Sequence, residues 1–238
     1  FGFYQGGEVL LRRRPIDAHP TVDVSGLMRD VRTDVLVGHV RLPSVGEPGT
    51  RNTHPFRYRQ WLFAHTGTIA QFENLRDRLV TSIPDFLMRN VRGDTDSELV
   101  FHLFLSFLHD AGKLTDQTPA AEVVRALRTT VALVDRLSSE EGAEDSGRIG
   151  ILVSNGEYIV GLTRGTGMAY RPIHGQDDIE ALLPDDAFRR SRLPDLARVR
   201  FDLIGADFDE PPAGQWVVVP DGSTVALGRQ SKVEVESL

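Results

Sequence analysis

The segment Ser97–Asp110 constrains the fold of this chain more than any other. Its apolar residues Leu99, Val100, Phe101, Leu103, Phe104, Leu105, Phe107 and Leu108 surround almost the whole of a helical cylinder. A helix that is hydrophobic all round is buried, so this one has to be sandwiched between layers rather than laid on a surface. Ser97 can cap it or stand in its first turn, and Glu98 suits the positive end of the helix dipole there. A second helix is expected from Ala120 to Leu137, with Val123, Val124, Leu127, Val131 and Val134 on one stripe. An acidic loop from Ser138 to Gly147 should follow it.

Strands flank this helical middle. Phe1–Tyr4 and Glu8–Arg12 read as a hairpin turning at Gln5-Gly6-Gly7, and Val35–Val40 as a short buried strand. Leu42–Phe56, rich in Pro, Gly, Asn and Thr, reads as a long loop. Trp61–His65 is a strand ending at Thr66-Gly67, with a short helix over Phe72–Leu79. Arg148–Leu162 reads as a hairpin around Asn155-Gly156. Further strands are expected at Val199–Ile204, Trp216–Val219 and Thr224–Leu227, after an irregular stretch from Pro172 to Ala197. Strands, two helices and strands again describe a layered α+β domain.

Composition narrows the function classes. Asp and Glu (34) outnumber Lys and Arg (27), which argues against a nucleic-acid backbone as the main partner. The run Arg12-Arg13-Arg14 reads as a solvated strand end or turn. With no cysteine, these residues hold no disulfide, thiolate metal site or thiol chemistry. No apolar run reaches the roughly 18–20 residues that span a bilayer, and a cytoplasmic location is expected. His102 and His109 lie on one face of the long helix but match no metal motif, so they read as a buried or boundary pair. Arg164-Gly165-Thr166-Gly167 lacks the Lys and helix of a phosphate loop and reads as a turn.

Four polar segments fall at strand ends and loop junctions: Gly38-His39-Val40-Arg41, Asn52-Thr53-His54-Pro55-Phe56, His65-Thr66-Gly67, and Gly93-Asp94-Thr95-Asp96-Ser97-Glu98. An Arg directly after a strand can grip a carboxylate in a bidentate manner. An Asp at a helix start can hold an amine. Together they are what a site needs for the charged ends of a free α-amino acid. A Gly after a strand leaves its N–H open to approach, as an oxyanion-hole donor must be.

In order and spacing, GHVR, NTHPF, AHTGTI and GDTDSE resemble the glutaminase domain of class II glutamine amidotransferases. The resemblance runs from Val35 to Leu108 and more loosely to the Trp216 strand. It implies one domain over residues 1–238 with the N-terminal-nucleophile hydrolase fold, an α+β four-layer αββα sandwich. It also implies that Arg41 binds the α-carboxylate of glutamine, Asp96 its α-amino group, and Gly67 the tetrahedral intermediate. His54 and His65 would shape the pocket. Glutamine or a γ-glutamyl small molecule is the expected ligand, a synthase or other ammonia acceptor the expected partner, and neither cofactor nor metal is implied.

This chain departs from the family pattern twice. The family nucleophile is a cysteine at the mature N-terminus whose α-amine acts as base. Phe1 stands in what reads as a strand, so the nucleophile strand is expected upstream. The second departure is Thr66, where the family has an Asn whose amide N–H serves the oxyanion hole. Losing one such donor typically costs about 2.7–4 kcal/mol. Three functions stay open on this reading: a glutaminase, a degenerate relative that binds glutamine or a similar ligand in a regulatory or scaffolding role, and a hydrolase of another linear amide.

Overall fold

A computed structural model of the protein describes residues 1–14, 24–41, 44–115, 117–144, 147–183, 195–211, 213–228 and 233–238. In chain order its strands are β1 (Gly2–Gln5), β2 (Glu8–Leu11), β3 (Leu36–Val37), β4 (Phe56–Tyr58), β5 (Trp61–Ile69), β6 (Gly147–Ser154), β7 (Tyr158–Arg164), β8 (Met168–His174), β9 (Arg200–Ala206), β10 (Val217–Val218), β11 (Ser223–Gly228) and β12 (Glu234–Ser237). The helices are α1 (Val24–Met28), α2 (Phe72–Thr81), α3 (Asp85–Met88), α4 (Asp96–Asp110), α5 (Ala120–Glu140) and α6 (Gly175–Leu182).

The strands form one antiparallel six-stranded sheet, β12-β11-β7-β6-β5-β4, and two three-stranded sheets, β2-β1-β3 and β10-β8-β9. Alternation along each central strand assigns its two faces. Trp61 and Phe63 of β5 join Ile151, Val153, Val160 and Leu162 in the core under α2, α4 and α5. Phe63 stacks on Phe101 at 4.9 Å, and Trp61 meets Phe104 edge-on at 6.0 Å. The intervening Leu62 and Ala64 pack instead with Val9 and Val37 of the first small sheet. Val225 and Leu227 of β11 pack with Met168 of β8 in the second. The big sheet is thus covered on both faces, which is why WLFA in β5 reads as an unbroken apolar run. α6, with Ile179 buried, packs on β8. This is an α+β sandwich.

The two helices expected from periodicity form, and α5 runs three residues further, to Glu140. α4 is buried on nearly every side, as its composition requires. Ser97 stands in its first turn, and the N-cap is Thr95, whose side chain accepts from Glu98 N. β3 ends at Val37 instead of Val40, because His39 leaves the ladder to bond the His65 carbonyl. β5 continues to Ile69, paired with β6 through Gly147. The irregular stretch from Pro172 also needs correction, since it holds the end of β8 and then α6, although residues 184–194 lie outside the described residues. Pro172 is tolerated because β10 reaches only Ala169 and Tyr170, which leaves β8 an edge at that point. β12 was not expected; Glu234 and Glu236 mark it as a charged edge.

Two smaller expectations change as well. Arg13 is not solvated but donates to the Pro55 carbonyl and covers the Phe56 ring at 5.7 Å. His102 is buried, with its Nδ1 on the Glu98 carbonyl at 2.8 Å, whereas His109 is exposed beside Asp110. The glycines of Arg164–Gly167 do form the turn between β7 and β8.

Candidate functional site

β5 serves both of its faces. On the helical side, the Ser97 hydroxyl donates to Asp96 Oδ1 at 3.2 Å, and Ser97 Oγ meets His65 Nδ1 at 2.8 Å. A hydroxyl has one proton, so His65 must donate from Nδ1, and its Nε2 is left a bare acceptor. That Nε2 is buried with no partner among the described residues. One residue on, the alternation turns Thr66 to the other face, where its hydroxyl donates to Asp207 Oδ2 at 2.7 Å, just beyond β9. Gly67 follows with φ +102°, and a Cβ there would lie 1.9 Å from the Arg148 carbonyl oxygen. Only glycine lets β6 approach this closely.

The start of α4 is tied down from several sides. Glu98 accepts from Arg92 N at 3.0 Å and Gly93 N at 2.6 Å, a capping-box arrangement with Thr95 that reaches further back than usual. Asn52 clips the preceding loop to it, accepting from Asp94 N at 3.1 Å and donating to Asp94 Oδ1. Asp96 accepts from Ile69 N at 3.0 Å and Ser97 N at 2.7 Å, and is 3% exposed. With the Ser97 hydroxyl that makes three donors on a carboxylate with about four acceptor positions.

These pieces line a cleft of about 410 Å³, with Arg41, Asp96, Gly67 and Thr66 on its walls. Arg41 donates through Nη2 to the Val45 and Gly46 carbonyls, so its position is set by the loop it closes. Its Nε and Nη1 make no hydrogen bond among the described residues. His54 also lines the cleft, stacked on His39 at 4.2 Å and edge-on to Phe56 at 4.5 Å. Burial lowers the pKa of all three imidazoles. His39 falls to about 4, against the opposing pull of the His65 carbonyl. His54 falls well below its usual value, helped by His39 and His65. His65 falls too, with Asp96 opposing. All three are neutral at pH 7.

Every residue expected at the site from sequence (Arg41, His54, His65, Thr66, Gly67 and Asp96) lies on this one cleft. Among the other residues that line it are His39, Arg148 and Asp207, none of which was expected at the site. His39 stood inside a recognised motif. Asp207 had no local signal, since it reaches Thr66 only through the packing of one sheet on another.

The family model for class II glutamine amidotransferases matches residues 1–189. This chain belongs to that family. A probable glutamine amidotransferase of Saccharomyces cerevisiae, DUG3, is 34% identical over 90 residues, which is 38% of this chain and 25% of the yeast protein. An isomerizing glutamine–fructose-6-phosphate aminotransferase of Chlamydia muridarum is 33% identical over 92 residues, 38% of this chain and 14% of the relative. The matched stretches therefore span a quarter or less of these two relatives. The solved structure of a glutamine aminotransferase class-II domain protein from Silicibacter pomeroyi superposes over 100% of this chain and 89% of its own, with TM-score 0.70 and 20% identity. That likeness is one of fold.

Proposed function

We propose that the cleft binds L-glutamine or a γ-glutamyl compound by its amino-acid end. Arg41 would hold the α-carboxylate and Asp96 the α-ammonium, with the side-chain amide directed towards Gly67. The observation that carries this reading is that Arg41 and Asp96, far apart in sequence, line one cleft with Gly67 between them in the chain. Asp96 has about one acceptor position left, enough for an ammonium N–H, and Arg41 keeps Nε and Nη1 for a carboxylate. The neutral histidines add no competing charge.

Hydrolysis of the amide, with ammonia passed to an acceptor or partner enzyme, is the reaction that family membership suggests for the whole protein. It requires a nucleophile, and none of these 238 residues is a cysteine. A second reading, binding without turnover, is favoured by one observation. The Thr66 hydroxyl is committed to Asp207 and is not available to an oxyanion. The test is calorimetric titration of glutamine into the full-length protein and its Arg41→Ala and Asp96→Ala variants, followed by an ammonia-release assay. Both variants should lose binding by at least about a hundredfold, as expected for an unpaired buried charge. Unchanged affinity in either would remove the assignment. Binding without ammonia release would select the second reading.

A further inference from the structure

We propose that Arg171 anchors a binding site for a small apolar carboxylate, on the face of the β8 sheet turned away from the six-stranded sheet. Alternation along β8 separates its two faces. Met168 and Tyr170 pack with Val225 and Leu227 of β11, so Ala169, Arg171 and Ile173 take the opposite face. The register adds the residues across from them, Gly205, Leu203 and Phe201 on β9 and Val218 on β10. Arg171 is the one charged side chain in this group.

Arg171 is 9% exposed, and its Nε is buried without a hydrogen-bond partner. Its guanidinium forms no other hydrogen bond and no ion pair among the described residues. The chain between β9 and β10 comes back over this face. Phe208 lies above Gly205, where a Cβ would meet its ring at 3.6 Å, and a Cβ on Gly214 would lie 3.2 Å from Nη1 of Arg171. Gly214 holds φ +111°, so it is a glycine that covers the guanidinium. None of the acids in that segment serves Arg171. Asp207 faces Thr66 and Arg148, and Asp209 and Glu210 are exposed.

A guanidinium stays charged at any pH the fold will meet. Charged side chains are almost never buried unless paired, because a buried charge gives up its hydration and needs a partner in return. The complement of Arg171 is therefore an anion. A carboxylate fits better than a phosphate. It carries one charge, which one guanidinium balances, and it accepts two parallel N–H···O bonds from the planar fork. A phosphate monoester carries nearly two charges and would leave one unmatched among apolar side chains. Nη1 and Nη2, unlike Nε, are not sealed from solvent, so a ligand can reach them. Beside them Phe201 and Val218 are 38% and 55% exposed and offer apolar surface to the body of such a ligand. A side chain covered this far admits a slender headgroup and not a folded surface, which makes the ligand a small molecule.

The inference is independent of glutamine in the cleft, because Arg171 is not among the residues that line it. The test is an NMR titration of the full-length protein with hexanoate, with hexanol and inorganic phosphate as controls. Hexanoate should bind at least about tenfold more tightly than either, as for hydrogen bonds between charged groups. Saturating hexanoate should also raise the thermal midpoint by a few degrees. Arg171→Met keeps the length and apolar stem of the side chain and removes the charge. It should lose the preference for hexanoate over hexanol and melt no lower than the wild type, since an unpaired buried charge is replaced by an apolar group. Equal binding of hexanoate and hexanol would overturn the proposal, as would phosphate binding as tightly as hexanoate. So would a midpoint more than about 4 °C lower in Arg171→Met, which would show that the chain itself partners the guanidinium. The double variant Asp209→Asn, Glu210→Gln should bind hexanoate within about twofold of the wild type. Binding strengthened tenfold there would mean that a loop acid competes for Arg171 as its own partner, and the site would be an internal ion pair instead.

Discussion

The hydroxyl of Thr66 donates to the carboxylate of Asp207 across 2.7 Å, joining the central sheet to the loop that leaves β9. The residue before Thr66 points the opposite way, into the bond between His65 and Ser97. One strand therefore wires the helical layer and the second sheet layer to the same cleft. Disturbing either side should be measurable separately.

Removing the Thr66 hydroxyl tests the outer link. Asp207 is more than half exposed, so water can replace the lost donor, and Thr66→Val should destabilise the fold by only about 0.5–1 kcal/mol. Urea denaturation reads this directly. A loss above about 2 kcal/mol would mean that Asp207 is far less hydrated than its exposure indicates.

The inner link should matter more. Ser97→Ala leaves the His65 Nδ1–H and one side of Asp96 without a partner in a region 2–5% exposed. Leaving a buried donor unsatisfied costs about 1–3 kcal/mol. Glutamine affinity should fall as well, because Asp96 loses a group that orients it. Stability within about 0.3 kcal/mol of wild type, by the same denaturation, would show that the bond contributes nothing.

Gly67→Ala should be severe. The methyl would meet the Arg148 carbonyl at 1.9 Å, and the backbone would have to hold φ +102° with a Cβ present. Together these should cost more than about 3 kcal/mol, lowering the thermal midpoint by about 6 °C or more for a chain of this size. A variant that melts with the wild type would mean that β5 and β6 can separate freely at this point.

The histidines set a pH dependence. His39, His54 and His65 have folded-state pKa values below the ordinary 6.5, chiefly through burial. Below that value the unfolded chain binds protons that the native state refuses, so their contribution is complete above pH 6.5 and is lost as pH falls. For His39 the loss runs from 6.5 down to about 4. Each such group adds about 1.4 kcal/mol per pH unit in that window. Urea midpoints measured from pH 7.5 to 4.5 should fall accordingly, and His39→Gln should make the fall shallower. An unchanged slope in that variant would show that His39 titrates normally.

Much of the candidate site was legible before any fold was known, because its polar residues sit in short motifs at strand ends. Arg41, His54, His65, Gly67 and Asp96 all came from such motifs. Of the two places open to Ser97, cap or first turn, the structure takes the first turn and gives the cap to Thr95, since both residue types cap well and only backbone geometry separates them. β8 was hidden by Pro172, which reads as a breaker unless one knows where β10 stops. His39 was noticed, but its tautomer depends on the carbonyl of a residue in another strand.

The sequence by itself determined the layered α+β class, the burial of α4 and the placing of the motif residues at element ends. Those follow from periodicity, side-chain volume and turn chemistry, which act over a few neighbouring residues. Only the tertiary structure decided that Thr66 spends its proton on Asp207, that three imidazoles meet and stay neutral, and that Arg13 is held against Pro55. Those relationships join residues brought together by the stacking of separate sheets, and no local pattern of side chains encodes which atoms will face each other once the layers close.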